Sequence, residues 1–419
     1  MIRNNYFKHF ATFGMMIFIG LNMLPIGKLR GYEVGAIVLL LTALVFLFSP
    51  ARKKIRLNRS DKWLLLAGFT YVLVSCAEVW LDNQPIRGYD HASRYLLSLP
   101  IFLLLLVYPP QAKHFFQAAA FGGLLLGITS IYYRLFLGQP STMGLLSIQY
   151  ACFSMVIAAI SLSGIGYFYQ CRRVACCLMS LLGSALAVVA VFLSGSRGSW
   201  ASIFIILALM FWTYRHILKL KLMMLILAIV MALCTSLYWA PQTKVKVRVE
   251  QAFVDVEQWQ DNQIRSSLGD RFVMWDNAIE LAQERWLTGW GAQGFMAEKE
   301  RLYQQGELSK VVQSYAHPHH EFLNAWVKRG LAGAITLLLM YIVPILTFKR
   351  YLHQGYPVAL RSVALASISV PICFMIAGFS QTIFAHNSGV LFYVVAITIS
   401  WSILKGAVYE QTGAAASGR

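Results

Sequence analysis

Two long stretches without any charged residue constrain the fold of this chain more than any other feature. They cover residues 174–196 and 198–214, and each is about as long as a helix needs to be to cross the hydrocarbon core of a bilayer. The whole chain of 419 residues is 58% hydrophobic and 13% charged, whereas soluble domains contain about 25% charged residues. The sequence therefore excludes a soluble globular enzyme and predicts an all-α polytopic membrane protein.

About twelve apolar segments are candidates for transmembrane helices. They lie at residues 9–27, 32–50, 63–81, 95–110, 115–133, 147–169, 174–193, 198–213, 222–240, 330–348, 362–384 and 388–404. Four regions follow from this pattern: 1–240 with transmembrane helices 1 to 9, a partly helical loop domain at 241–329, 330–407 with helices 10 to 12, and a flexible C-terminal tail at 408–419. The first apolar segment lacks a convincing signal-cleavage site, so we expect it to be retained.

The net charge of +18 is distributed unevenly along the chain. The hydrophilic segment 241–329 contains 11 basic and 12 acidic residues, which leaves 25 basic and 6 acidic residues elsewhere. A basic surplus in the membrane-embedded part is typical of orientation signals and of contacts with anionic membrane lipids, and nucleic acid is not an expected partner. With a cytoplasmic N-terminus, the tails and inside connections contain 19 Lys and Arg, and the short outside connections contain 6. We therefore predict a multi-pass protein of the bacterial inner membrane, with both termini cytoplasmic and the 241–329 loop periplasmic.

A tight turn of small residues, Ser194-Gly-Ser-Arg-Gly-Ser-Trp200, joins the seventh and eighth candidate helices. Arg197 lies in this turn at the predicted outer boundary of the membrane, where the charge rule does not expect an arginine. A snorkelling side chain is one interpretation. The neighbouring glycines and serines, including Ser196, allow close backbone packing, and exposed amides beside a guanidinium would bind an anion. We favour this second interpretation.

The loop 241–329 contains a predicted amphipathic helix over Asp270–Arg285, which Gly289-Trp290-Gly291 then ends. Arg271 lies in the first turn of this helix. By spacing alone, such an arginine is more often solvated, or paired with Asp270 or Glu280, than functional.

The segment His317-Pro318-His319-His320-Glu321 contains three of the nine histidines. A second helix is predicted to begin at Pro318, which would place His317 over Glu321 and His320 over Asn324. Histidine suits general acid–base catalysis near neutral pH. A zinc site and a solvated surface cluster are the alternatives.

The order of these motifs resembles that of the O-antigen ligase and polymerase superfamily. The pattern is a Ser-Gly-Ser-Arg-Gly turn, a large loop with Arg-x-x-x-Trp and Gly-x-Gly, and then His-x-His-x-Glu before the next span, mainly within residues 190–345. Chain length and span count are closer to the ligase branch. The resemblance implies a GT-C-like, metal-independent inverting glycosyltransferase without a cofactor. It would move O-antigen glycan from undecaprenyl pyrophosphate to a sugar hydroxyl of lipid A core, in lipopolysaccharide biosynthesis.

The resemblance also implies roles for individual residues. Arg197 and Arg271 would bind and stabilise the pyrophosphate leaving group, and His319 would be the base, with Glu321 or His317 as its orienting neighbour. One departure is His320, which stands where many members have asparagine, so that His320 could share or take the role assigned to His319.

Arg87 and Arg94, in the first sizeable outer loop, are secondary candidates. They could grip acceptor phosphates, although mixed charges in such a loop are more often solvated. The alternative functions are an O-antigen polymerase, a protein glycan ligase of the same superfamily, and a flippase of lipid-linked sugars. The flippase is less favoured because transporters tend to place charge near the middle of the membrane.

Overall fold

The computed structural model describes residues 2–139, 141–217, 219–260 and 267–417. Within these residues the chain is 80% helical, with sixteen α-helices and one two-stranded hairpin. The predicted all-α polytopic membrane fold is confirmed.

The helices are numbered in chain order. They are α1 Ile2–Gly20, α2 Gly31–Leu47, α3 Arg59–Leu81, α4 Asp90–Val107, α5 Ala112–Leu135, α6 Ser147–Gln170, α7 Val174–Leu193, α8 Ala201–Tyr214, α9 Leu220–Trp239, α10 Val245–Gln260, α11 Ser267–Glu284, α12 Gly291–Gln304, α13 Lys310–Ser314, α14 Glu321–Lys349, α15 Val358–Gly378 and α16 Asn387–Ser417. The hairpin pairs β1 Pro25–Ile26 with β2 Leu29–Arg30 in antiparallel register. Short 3-10 helices cover Pro50–Lys54, Ile86–Tyr89, Pro241–Thr243, Arg350–Leu352 and Ile383–Ala385.

Each of the twelve predicted apolar segments is occupied by a helix, namely α1 to α9 and α14 to α16. Nine of the described helices are long and apolar enough to cross a membrane. Two further apolar helices are shorter, α2 with 17 residues and α8 with 14. The hydrophilic segment between α9 and α14 contains α10 to α13, so it is largely helical.

The centre of the bundle is formed by α6, α15 and α16, the most deeply buried of the long apolar helices. Phe153 of α6 stacks on Phe392 of α16 with ring centroids 4.0 Å apart, and Phe374 of α15 lies against both rings. Small residues allow α5 and α7 to approach closely, since a Cβ on Gly183 would lie 2.3 Å from the carbonyl oxygen of Ala120. Such contacts between small residues are typical of helices packed in membranes.

A buried polar cluster ties α3 to α16. The carboxylate of Asp61 accepts hydrogen bonds from Lys405 Nζ at 2.6 Å and from Trp401 Nε1 at 2.7 Å. Lys405 lies eighteen residues beyond the start of α16, or about 27 Å along a helix. The cluster therefore lies far along the bundle from the end where α16 begins.

The start of α14 differs from the prediction. The helix begins at Glu321, and His320 is its N-cap because His320 Nδ1 accepts a hydrogen bond from the amide of Leu323 at 3.3 Å. Pro318 therefore precedes the helix. The predicted helical stacking of His317 over Glu321 and of His320 over Asn324 is wrong, because a side-chain cap at His320 competes with continuation of the helix toward Pro318.

A break at Gly330 divides α14 into a short N-terminal piece and a long C-terminal piece. Gly330 has φ 59° and ψ −154°, which are not helical. A Cβ at this position would lie 2.2 Å from the carbonyl oxygen of Leu287. Both the backbone angle and the close approach therefore require glycine.

The segment predicted as a C-terminal tail from residue 408 continues α16 as far as Ser417. Extending an existing helix is much less costly than nucleating one, and Ala414, Ala415 and Ala416 are strong helix formers.

Candidate functional site

Four segments that are distant in sequence meet at one end of the bundle. They are the turn 194–200, the start of α11, the segment 315–320 and the loop 379–386. Trp275 Nε1 of α11 donates to the carbonyl oxygen of Pro318 at 3.0 Å, and the side chain of Gln381 is hydrogen-bonded to His319. The structure thus brings the three sequence motifs together and adds a fourth segment.

The turn 194–200 requires glycine at two positions. Gly195 has φ +77°, which other residues adopt only with strain. A Cβ on Gly198 would lie 1.8 Å from Ser380 Oγ, so this glycine lets the turn pack directly on the loop 379–386. The amide of Ser196 donates to Ser194 Oγ at 3.2 Å. Arg197 is half-buried, and its Nη1 donates to the carbonyl oxygen of Arg248 at 2.9 Å.

Arg271 lies near enough to Arg197 for the two positive charges to repel each other. Burial lowers the pKa of the Arg271 guanidinium, and the positive charge of Arg197 lowers it further. In the part of the chain that the structure describes, no ion pair joins Arg271 to Asp270 or Glu280, the partners that its spacing suggested. Two cations held close together in a partly desolvated place are suited to bind a multiply charged anion.

His319 stands in an unusual backbone conformation, with φ +51°. Its Nδ1 is hydrogen-bonded to Gln381 Oε1, and its ring lies against Tyr315 and His317 with centroids 4.8 Å and 4.6 Å away. Burial lowers the pKa of His319, the hydrogen bond to Gln381 opposes that effect, and the charge of Arg271 adds to it. The imidazole is therefore favoured in its neutral form, which a general base requires.

The hydrogen bonds distinguish His319 from His320. An amide oxygen can only accept, so Gln381 Oε1 assigns the proton of neutral His319 to Nδ1 and leaves the lone pair on Nε2. His320 has the opposite tautomer, because its Nδ1 accepts from the amide of Leu323 and its proton is then on Nε2. Burial lowers the pKa of His320 to about 4. Neutral His319 thus has an available lone pair, whereas the lone pair of His320 is occupied by the helix cap.

His317 and His386 complete the group of imidazoles. Their ring centroids lie 6.1 Å apart. Burial lowers the pKa of His317 to about 3, the neighbouring His319 contributes to the shift, and burial also lowers the pKa of His386. These neutral rings surround His319 without adding positive charge near neutral pH. Among the described residues, no three His, Cys, Asp or Glu side chains are arranged to hold a metal ion.

Glu321 has a different position from the one that the sequence suggested. Its side chain is buried, with 1% of the residue exposed, and Oε2 accepts a hydrogen bond from the amide of Phe384 at 2.9 Å. Glu321 therefore holds the 3-10 turn Ile383–Ala385. The side chain that orients His319 is Gln381, which the sequence analysis missed because it lay within a predicted span. The polar run Ser380-Gln381-Thr382 at the end of that span was the signal that could have revealed it.

The two secondary arginines are placed differently. Arg94 lines a cavity of about 240 Å³ between α2, α4 and α16, together with Asn387 and Ser388, the residues directly after His386. Arg87 is exposed in the 3-10 helix Ile86–Tyr89, and no hydrogen bond or ion pair within the described part of the chain joins it to the site. The structure thus places Arg94 in a cavity beside the start of α16 and leaves Arg87 at the periphery.

Comparison with known proteins bears on the part of the chain that carries this site. Residues 182–338 match a family model described as O-antigen ligase. This range contains the turn 194–200, α11 and the histidines His317, His319 and His320. The resemblance to the O-antigen ligase superfamily is confirmed. Similarity to this family model supports a general enzymatic role, as a glycan ligase or polymerase.

One relative is similar to this chain over nearly its full length. It is a protein of Haemophilus influenzae described as an uncharacterized protein, 28% identical over 400 residues. The similarity covers 93% of this chain and 98% of the relative, so it includes the transmembrane helices on both sides of the matched region.

Proposed function

We propose that the protein is an O-antigen ligase that transfers O-antigen glycan from undecaprenyl pyrophosphate to a sugar hydroxyl of lipid A core. The observation that carries this proposal is the combination of two guanidiniums, whose charges interact, with a neutral imidazole whose Nε2 has an available lone pair. Arg197 and Arg271 provide the cations, and His319 provides the base. The match to the O-antigen ligase family supports the class of reaction.

The two arginines would act on the leaving group. As the bond between the anomeric carbon and the pyrophosphate oxygen breaks, negative charge grows on the pyrophosphate, and fixed guanidiniums stabilise that charge more than they stabilise the ground state. Each hydrogen bond to a charged group contributes about 1.5–3 kcal/mol. Partial burial of Arg271 strengthens this interaction, because less water screens it.

His319 would act on the acceptor. Its Nε2 takes the proton from the acceptor hydroxyl while the oxygen forms a bond to the anomeric carbon on the face opposite the leaving group. One displacement of this kind inverts the configuration of the sugar. The proton then passes from Nε2 to solvent or to the released pyrophosphate. Gln381 would keep the imidazole in the required tautomer throughout, because its amide oxygen holds the proton on Nδ1.

The proposal includes the orientation that the distribution of charge favours. Both termini would be cytoplasmic, and the site would face the periplasm, where undecaprenyl-linked glycan and lipid A core are both within reach of the membrane surface. Arg94, in the cavity beside the start of α16, would be available to a phosphate of the acceptor.

Reconstitution of the purified protein with undecaprenyl-pyrophosphate glycan and lipid A core, in the presence of EDTA, tests the proposal. Gel and mass analysis should show glycan attached to lipid A core, and NMR of the new linkage should show the inverted anomeric configuration. Lengthened lipid-linked glycan without transfer would instead indicate a polymerase, and glycan on an added protein acceptor would indicate a protein glycan ligase. Transfer that EDTA abolishes would contradict the metal-independent reaction, and a lack of covalent product with every acceptor would favour a flippase.

A further inference from the structure

The backbone of the segment 315–320 is held by side chains from three different helices. Lys299 Nζ of α12 donates to the carbonyl oxygen of Tyr315 at 2.6 Å, and Lys328 Nζ of α14 donates to that of Ala316 at 2.8 Å. Trp275 of α11 donates to Pro318 in the same way. The segment has no regular secondary structure, so these side chains replace the hydrogen bonds that a helix or strand would supply.

Lys299 is buried in a way that is costly for an ammonium group, and the half-buried Lys328 lies beside it. Lys299 is 2% exposed, and burial together with the charge of Lys328 lowers its pKa to about 8. Both ammonium groups lie over the ring of Phe295, at 5.4 Å and 5.8 Å from its centroid. Neither lysine forms an ion pair with an acid within the described residues. Apolar side chains would cover Phe295 at a lower free-energy cost, so packing alone does not account for two cations here.

We propose that Lys299 and Lys328 are positioning residues that hold His319 in its active conformation. This inference rests on the proposed function, in which His319 is the base. A non-glycine residue at φ +51° is strained, and this conformation persists only where the surrounding structure imposes it. The carbonyl oxygens held by the two lysines are three and four residues before His319 in the chain, and they fix the path by which the chain enters that conformation.

Lys299 also acts on His319 through its charge. The groups that face the His319 imidazole are Tyr315, His317, Gln381, Arg271, His386 and Lys299. Arg271 and Lys299 are the cations among them, and both favour the neutral imidazole. Replacing Lys299 by a neutral residue should therefore raise the pKa of His319, whereas a purely structural lysine would have no such effect.

The test compares Lys299→Gln with Lys299→Arg and with Lys310→Gln in the full-length protein. Lys310 begins α13, is exposed and lies five residues before Tyr315, so its substitution removes the same charge from the same region without removing a hydrogen bond to the segment. We expect Lys299→Gln to lower kcat at least tenfold with little change in KM, and to move the acidic limb of the pH–rate profile to higher pH by about half a unit. Lys299→Arg should restore the position of the limb, and Lys310→Gln should behave as wild type. An unchanged limb in folded Lys299→Gln would overturn the proposal.

A second measurement separates this inference from the proposed reaction. Diethyl pyrocarbonate modifies neutral imidazoles, so the rate of modification at His319, followed by peptide mass spectrometry across pH, reports the pKa of His319 without turnover. The apparent pKa should be higher in Lys299→Gln than in wild type or Lys310→Gln, and equal values would contradict the inference whether or not glycan transfer is observed. If Lys299→Gln does not fold, Lys328→Gln tests the positioning role, because Lys328 holds the adjacent carbonyl oxygen. It should lower kcat with little change in KM, and an unchanged kcat would contradict the inference.

Discussion

Replacement of Gln381 by leucine is the perturbation that most directly tests the assignment of His319. Gln381 is 7% exposed and lies on the loop between α15 and α16, where its Oε1 faces His319 Nδ1. Leucine has a similar size but cannot accept a hydrogen bond. The substitution therefore leaves the Nδ1 proton of His319 buried without a partner, or allows the imidazole to adopt the other tautomer with its proton on Nε2.

The expected magnitude follows from the cost of that unmade hydrogen bond. A buried polar group without a partner costs about 1–3 kcal/mol. If this cost falls on the active tautomer and not on the inactive one, the fraction of productive enzyme decreases by about 5- to 150-fold, and kcat decreases with it. KM should change little, because Arg197 and Arg271 still bind the donor.

The assay is the initial rate of glycan transfer to lipid A core for Gln381→Leu, Gln381→Glu and Gln149→Leu. Gln149 is also a buried amide, hydrogen-bonded to Ser388 at 3.0 Å, so it controls for loss of a buried glutamine near the start of α16. Gln381→Glu retains the acceptor and should retain most of kcat, while its negative charge raises the pKa of His319 and moves the acidic limb to higher pH. Full kcat in Gln381→Leu, or a limb that moves to lower pH in Gln381→Glu, would refute the assignment of Gln381 as the partner that sets the tautomer.

Three further predictions concern the neighbouring residues. Arg197→Lys should be nearly as inactive as Arg197→Ala, because an ammonium group cannot reproduce a bidentate guanidinium, and near-normal transfer by the lysine variant would contradict a clamp on pyrophosphate. His319→Ala should lose at least about a hundredfold in kcat. His320→Ala should lose about 1 kcal/mol of stability, because it removes the helix cap, and should retain most turnover. The reverse result would assign the base to His320. His317 binds its proton at a lower pH in the folded than in the unfolded protein, so the free energy of unfolding should be fully maintained above pH 6.5 and should fall by about 2 kcal/mol as the pH decreases toward 3. Detergent unfolding curves should show a weaker acid dependence in His317→Asn and an unchanged one in His353→Asn, which alters an exposed histidine.

The sequence predicted the transmembrane helices well because their signal is physical and local. The segment 174–196 contains no charged residue that would have to remain in water, and α7 occupies it almost completely. The start of α14 was predicted less well, because Pro318 and His320 are both plausible near a helix start, and only the hydrogen bond to Leu323 shows which residue is the cap.

The candidate site was predictable where its residues carry unusual chemistry in a recognisable order, as Arg197 and His319 do. Gln381 was not predictable, because it lies 62 residues from its partner and an amide within an apolar segment has no periodicity of its own. The same holds for Lys299, whose role depends on the carbonyl oxygen that it reaches and not on its neighbours in the chain. The roles of such residues depend on their burial and on partners that are distant in the chain, and the spacing of residues in the sequence contains no information about either.

The break at Gly330 lets α14 pack closely against the turn between the helices α11 and α12. The turn that joins α11 to α12 occupies the volume that a side chain at residue 330 would fill, with the carbonyl oxygen of Leu287 at its centre. A single added methyl group would therefore act as a spacer that lifts this turn away from the bundle. Since Arg271 lies on α11 and Lys299 on α12, such a spacer would shift the proposed anion clamp and the support of the base together, although it touches neither. The absence of a side chain at residue 330 thus allows the helices α11 and α12 to align with the membrane helices at the proposed active site.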